Sequence, residues 1–346
     1  MLLFKGMART PHKITGELEL IDQIRRSFPA RNRSVRLGIG DDCAILRPPR
    51  GQEVLVTTDF SIEGRHFRRE LHPAESVGHR CLARGLSDLA AMGGKPIAAF
   101  LSLALPKTLL RTRAGRAWLD GFFVGLRSLA GRYDTALAGG DTSESPGEFV
   151  LADIVLVGSV PQGRALRRST ARAGDAIYVT GSLGGAHVEL TSLLRSNRRA
   201  RVPEQEGHPH FFPQPRLAVG AALMRRRLAT ACIDLSDGLS TDLAHLCESS
   251  GVRAEVYAGA LPMHSLMRSL AEDEALRAAL DGGEDYELLF TAPAAARVPR
   301  SMAGVPVTRI GTVQRADRRL PQVTLIGRDG RRSALRAGGW EHFSGR

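Results

Sequence analysis

Long apolar runs are what this chain most clearly lacks. No stretch approaches ~18 uninterrupted apolar residues, so no membrane-spanning helix is expected. Met1 to Ile14 contains no apolar core of a secretion signal. Cysteine is also scarce. Cys43, Cys81, Cys232 and Cys247 show neither zinc-type pairing nor disulfide density, and a reduced, cytoplasmic location is the expectation. Aromatic residues make up only 5% of the chain and no nucleic-acid-binding motif is present, so no specific nucleic-acid partner is expected. Lysine is nearly missing: beyond Lys5, Lys13, Lys95 and Lys107, every Lys/Arg position is arginine. The net charge of +12 favours anionic ligands. Dispersed arginines on an ordinary solvated surface account for the same charge.

What is present is enough chain for two cores, 346 residues with strands and helices in alternation. Glu17 to Phe28 reads as an amphipathic helix, Glu53 to Thr58 as a strand ending at Asp59, and Ala74 to Met92 as a helix stopped by Gly93-Gly94. Ile97 to Leu105 is apolar enough for a buried strand, Ala114 to Gly131 reads as a helix, and Phe149 to Val160 as a long strand. The composition changes at Pro161-Gln162-Gly163-Arg164. Residues 1–160 and 161–346 are therefore expected to form two domains, both α/β (or α+β). In the second, Asp175 to Thr180, Ala229 to Leu235, Tyr286 to Thr291 and Val305 to Val313 read as strands, and Leu239 to Ser250 as a helix. Ser196 to Pro215, polar and containing Pro and His, reads as a surface insertion in which His208 and His210 are weak metal candidates.

The chemistry is carried by five short acidic segments expected as turns, most of them after an apolar run or at the close of an apolar helix. They are Gly38-Ile39-Gly40-Asp41-Asp42, Thr57-Thr58-Asp59, Leu86-Ser87-Asp88, Gly139-Gly140-Asp141 and Asp234-Leu235-Ser236-Asp237-Gly238. Carboxylates that converge without basic neighbours repel one another, and hard divalent cations with oxygen ligands relieve this. Magnesium, which keeps several waters and binds substrate phosphates, suits the pattern. Each segment has a plainer reading as well: a glycine turn, a strand edge, a solvated helix face, a hairpin, or a helix cap supplied by Ser236 or Asp237. A helix entry at Asp234 to Gly238 would also favour a bound anion. Gly282-Gly283-Glu284-Asp285-Tyr286-Glu287 could hold a polar or cationic group, or be a turn. Gly181 to Gly185 is followed by no Gly-Lys-Ser/Thr and completes no dinucleotide fingerprint, and no Val-Ala-Ile-Lys or His-Arg-Asp pattern occurs. If the chain handles ATP, it does so outside the commonest folds.

The order of these segments carries more than any one of them. Gly-Ile-Gly-Asp-Asp-Cys-Ala, Thr-Thr-Asp followed by Glu63-Gly64-Arg65-His66-Phe67, Leu-Ser-Asp-Leu-Ala-Ala-Met-Gly, Gly-Gly-Asp-Thr, Ile-Asp-Leu-Ser-Asp-Gly-Leu and Gly-Gly-Glu-Asp-Tyr-Glu-Leu follow one another along the chain. This series resembles the thiamine-monophosphate kinases, of the superfamily that includes aminoimidazole ribonucleotide synthetase, over roughly Leu18 to Phe343. The resemblance implies ATP-dependent phosphorylation of thiamine monophosphate to the diphosphate, in thiamine diphosphate biosynthesis, with several Mg²⁺ ions. It implies magnesium ligands at Asp42, Thr57, Thr58, Asp59, Asp88, Asp141, Asp234 and Asp237. It implies ATP contacts at Gly140, Asp141, Arg168 and Ser236, and thiamine monophosphate contacts at His66, Glu284 and Trp340. It further implies a homodimer formed through the strands of the N-terminal domain, a nucleotide cleft lined by that domain, and direct in-line transfer of the γ-phosphoryl group. A phosphate oxygen is already ionised as a nucleophile, so no protein nucleophile or general base is expected.

Related chemistries make different demands. A selenophosphate synthetase would carry a reactive cysteine or selenocysteine in a glycine-rich loop before Gly38, and a hydrogenase-maturation relative would end in a reactive cysteine. The cyclo-ligase would share the acids without Glu-Gly-Arg-His-Phe and Gly-Gly-Glu-Asp-Tyr-Glu together. A non-catalytic basic binding protein would leave the acidic segments unexplained.

Overall fold

The computed structural model describes residues 17–28, 32–40, 43–202 and 207–340. The first half contains α1 (Glu17–Ser27), β1 (Val35–Leu37), β2 (Ile45–Leu46), β3 (Gln52–Ile62), α2 (Ala74–Ala91), β4 (Lys95–Leu105), α3 (Lys107–Arg111), α4 (Arg113–Arg132), β5 (Ala136–Glu144) and β6 (Leu151–Pro161). Its four-stranded sheet has the order β3-β6-β4-β5, antiparallel except for the β4–β5 pair. α2 is buried along nearly its whole length, which its run of Val77, Cys81, Leu82, Leu86 and Leu89 requires. It lies between the sheet and α4.

The second half contains β7 (Ala176–Thr180), α5 (Gly185–Ser196), α6 (Leu217–Arg226), β8 (Ala231–Asp234), α7 (Leu239–Ser250), β9 (Val252–Tyr257), α8 (Glu272–Asp281), β10 (Leu288–Ala292), β11 (Ser301–Met302), β12 (Val305–Arg315), β13 (Val323–Ile326) and β14 (Arg332–Ala334). Seven of these strands form one path, β14-β13-β9-β12-β7-β10-β8, and β11 pairs with β12 beside it. α6 crosses to the first half, where the Gly220 Cα rests on the Ala90 carbonyl so closely that a side chain would collide with it. One apolar core consequently runs from α2 and α4 into β8 and β10. No helix among the described residues is long and apolar enough to cross a membrane.

Three expectations need correction. Thr57-Thr58-Asp59 does not close a strand: β3 continues to Ile62, paired with β6 along its whole length. Gly139-Gly140-Asp141 is not a turn but the middle of β5, which continues to Glu144. Gly140 has φ 146°, and a Cβ there would lie 1.9 Å from the Leu101 carbonyl oxygen. The glycines thus let β5 lie close against β4. Nor is the end of the 196–215 segment at the surface, since His210, Phe211 and Phe212 are all buried.

Candidate active site

One cleft between the two halves, about 550 Å³, gathers most of the expected residues. Asp59, His66, Asp88, Asp234, Ser236, Asp237, Glu284 and Trp340 all line it. β3 supplies Asp59. α2 supplies Asp88, one turn beyond Arg84, which also lines the cleft. β8 supplies Asp234. Thr57 donates its hydroxyl to Asp88, and Ser87 donates to Asp234 Oδ2 at 2.8 Å. Arg84 Nε stands 3.7 Å from Asp59 Oδ1.

These carboxylates are electrostatically frustrated. Burial, then the Asp88 charge, raises Asp59 to about 7 against the pull of Arg84. Burial, then Asp88, raises Asp234 to about 7. Asp88 is likewise pushed up by burial, opposed by its hydrogen bond from Thr57 and by the charges of Arg168 and Arg84. Among the described residues no three acids or imidazoles stand close enough to enclose a cation by themselves. Carboxylate and hydroxyl oxygens are the donor type that a hard cation such as Mg²⁺ takes, with water and phosphate oxygens completing its shell.

The sheet separates the remaining expected ligands by face. Successive strand residues point to opposite sides. Thr57 and Asp59 face α2, whereas Thr58 faces outward and donates to Asp153 Oδ1 at 2.7 Å. Asp141 sits opposite Ser102 of β4, which sits opposite Asp153 of β6, so Asp141 shares that outer face. Thr58, Gly140 and Asp141 thus lie outside the cleft lining. Arg168 is exposed near the cleft, within electrostatic reach of Asp88. Asp42 lies outside the described residues.

The backbone amides at the entries to α7 and α5 are taken by the protein's own carboxylates. Asp242 Oδ2 accepts from the backbone N–H groups of Ser236, Asp237 and Gly238, each at 3.1 Å. It, rather than Ser236 or Asp237, caps the entry to α7. Asp285 Oδ2 accepts from the Gly184 N–H at 2.8 Å, at the start of α5. Burial raises both acids to about 8.

At the other end of the cleft, Glu284 and Tyr286 take left-handed backbone conformations, φ 57° and 49°. Their N–H groups bond to the Ser236 and Leu235 carbonyls at 2.7 and 2.8 Å, which clamps the turn onto β8. Glu284 projects toward α2, where Arg80 donates to its Oε1. Burial alone would raise this acid. Arg80, then the His210 ring beside it, hold it well below the usual range. His66 accepts the Ile62 N–H on Nδ1 at 2.9 Å, which leaves the proton of the neutral ring on Nε2. Trp340 is 53% exposed and its backbone N–H bonds to the Asp237 carbonyl at 3.0 Å, so the C-terminal segment is tied beside Asp237.

Arg80, Arg84, His72 and His210 were not expected here. Arg80, Arg84 and Asp88 recur every four residues, and that spacing alone puts them on one face of a helix. His72 and His210 carry no comparable local signal.

Two family models match the chain: AIR synthase related protein, N-terminal domain, over residues 40–160, and AIR synthase related protein, C-terminal domain, over residues 172–320. The thiamine-monophosphate kinase of Salmonella typhimurium is 40% identical over 338 residues, covering 95% of this chain and 98% of that protein. The crystal structure of thiamine-monophosphate kinase from Stenotrophomonas maltophilia superposes with a TM-score of 0.77 at 37% identity, covering 91% of this chain and 97% of that one. AaThiL complexed with AMPPCP and TMP gives 0.72 at 31% identity, covering 97% of this chain and all of that one. With the acidic segments in one order and both domain models matched, the chain belongs to the thiamine-monophosphate kinase family of AIR synthase-related proteins.

Proposed function

We propose that this protein transfers the γ-phosphoryl group of ATP to thiamine monophosphate, giving thiamine diphosphate and ADP. The observation that carries this reading is the convergence of Asp59, Asp88 and Asp234 in one cleft with the Glu284 turn and Trp340. Two substrates bearing phosphates need charge compensation where they meet, and the acids supply anchor points for it. Bound Mg²⁺ would neutralise the phosphate oxygens and stabilise the charge of the group in flight. Asp59, Asp88, Asp234 and Asp237 would hold these ions, with Thr57 fixing Asp88. Asp42, Thr58 and Asp141 are retained as ligand candidates. Gly140, Asp141, Arg168 and Ser236 are the candidates for nucleotide contacts.

His66 offers its Nε2–H, and Arg65, Arg68 and Arg84 their guanidinium groups, to the acceptor phosphate. Glu284 and Trp340 provide a carboxylate and an aromatic wall for a cationic heterocycle. The acceptor oxygen is ionised, so the residues position and shield rather than remove a proton. A reaction consuming ATP belongs with the cytoplasmic nucleotide pool, in keeping with a cytoplasmic location.

The outer face of the four-stranded sheet supports the homodimer. Val54, Val56 and Phe60 of β3 are exposed there, with Val155, Val157 and Phe100 half-buried around them. Such a face on a sheet with an open β3 edge suits a second copy of the same sheet. The functional reading is tested by incubation with ATP, Mg²⁺ and thiamine monophosphate. Equal amounts of thiamine diphosphate and ADP are expected, and no product from unphosphorylated thiamine. ATP consumption without thiamine diphosphate would overturn it.

A further inference from the structure

Behind Glu284 runs a chain of buried imidazoles. His210 is 1% exposed, and its Nδ1 lies 3.1 Å from Glu284 Oε2. The contact is off-line for an ideal hydrogen bond, but no other acceptor reaches that nitrogen. On the far side of the ring, His72 Nε2 is 3.1 Å and Arg80 Nη1 3.5 Å from His210 Nε2. Arginine can only donate, so His210 Nε2 presents a lone pair and the proton sits on Nδ1, facing the carboxylate. His72 must then donate from Nε2, so its Nδ1, which lies 3.1 Å from both the N–H and the carbonyl oxygen of Arg68, takes the acceptor role toward the N–H. One direction of donation satisfies the row from the Arg68 amide through both rings to Glu284. Burial, then Arg80, holds both imidazoles in the neutral form that this arrangement requires. Glu189 of α5 fastens the segment by accepting from the His210 N–H at 2.9 Å.

We propose that His210, backed by His72 and Arg80, is a positioning residue that keeps the Glu284 carboxylate ionised and aimed into the cleft, where its remaining lone pairs select an acceptor bearing an N–H donor or a cation. This rests on the phosphoryl-transfer reading above. Arg80 donates to Oε1 from behind and His210 Nδ1 faces Oε2 at 3.1 Å, which together hold the rotamer and leave acceptor capacity on the cleft side.

Two substitutions separate the ring nitrogens. The amide nitrogen of asparagine overlies Nδ1 and that of glutamine overlies Nε2. His210→Asn should therefore keep the donor to Glu284, and His210→Gln should lose it. For thiamine monophosphate, KM and the calorimetric Kd should rise roughly tenfold or more in His210→Gln and only a few-fold in His210→Asn. KM for ATP should stay unchanged in both. Equal losses, the reverse order, or a parallel rise in KM for ATP would overturn the proposal. A second readout needs no variant protein to be active. Nitrogen-15 NMR of the histidine-labelled wild type, with the signals assigned by His72→Phe and His210→Phe, should show His210 protonated on Nδ1 and His72 on Nε2. Either opposite tautomer would overturn the proposal. If the wild type made no thiamine diphosphate, the functional reading would fail, whereas the tautomers and the thiamine monophosphate Kd would still decide this one.

Discussion

Ser87 donates its hydroxyl to Asp234 at 2.8 Å, and this bond joins a helix of the first half to a strand of the second at the floor of the cleft. Both partners are buried. The site is therefore shared between the two sheets, and its geometry depends on how α2 seats against β8.

Removing that donor should loosen the acid without emptying the cleft. Ser87→Ala leaves a buried carboxylate one hydrogen bond short, at a cost of about 1–3 kcal/mol. The expected result is a lower melting temperature and a several-fold higher Mg²⁺ requirement in steady-state assays. An unchanged Mg²⁺ dependence would remove Ser87 from the ligand-positioning scheme.

The metal-free protein should become less stable as pH rises. Asp59 and Asp234 titrate near 7 when folded, against an ordinary 3.8, so the folded state holds their protons more tightly. Stability from this source is present below pH about 4, is lost between about 4 and 7, and is flat above. Asp59→Asn should accordingly stabilise the protein in chelator at pH 8 by on the order of 1–2 kcal/mol, read as a higher melting temperature, while nearly abolishing turnover. Stabilisation of the wild type by added Mg²⁺ should be larger at pH 8 than at pH 6. Scanning calorimetry at the two pH values checks both signs.

Trp340→Ala should raise KM for thiamine monophosphate and leave KM for ATP nearly unchanged. A cation–π contact contributes ~0.5–2 kcal/mol, so the effect is a few-fold to a few tens-fold. Weakening of both substrates together would mean that Trp340 serves to anchor the C-terminal segment on α7.

Val56, 66% exposed on the outer face of β3, tests the homodimer. Val56→Lys places a charge in the middle of that apolar face and should yield monomers by light scattering at micromolar concentration. An undisturbed dimer would locate the interface elsewhere.

Much of this was legible in the sequence because the apolar patterns are strong. α2, β4, α4 and α7 fall within a few residues of where periodicity places them. The acidic segments were legible as a set but not as shapes. Asp59 looks like a strand end and Gly139 to Asp141 like a turn because Gly and Asp are depleted in strands, yet ladder pairing to β6 and β4 overrides local preference. That misreading hides the facing of Thr58 and Asp141, which only strand alternation reveals. His210 stands in a polar, proline-bearing stretch that reads as surface. Its burial depends on Phe211 and Phe212 packing with Leu71 and Leu193, contacts too distant in sequence to see. α6, α8 and β9 were likewise passed over. α8 has an acidic first turn and few large apolar residues, so its hydrophobic stripe is made mostly of alanine.

On this reading, buried carboxylates in the cleft hold the cations that let ATP phosphorylate thiamine monophosphate. The most direct test is the initial rate of thiamine diphosphate formation against free Mg²⁺, for the wild type and for Asp88→Asn with its fold verified by circular dichroism. The expected result is no product in excess chelator, a rise with Mg²⁺ steeper than one ion allows, and a loss of at least a hundredfold in Asp88→Asn. Turnover in chelator, or a folded Asp88→Asn protein with wild-type kcat at the same Mg²⁺, would contradict it.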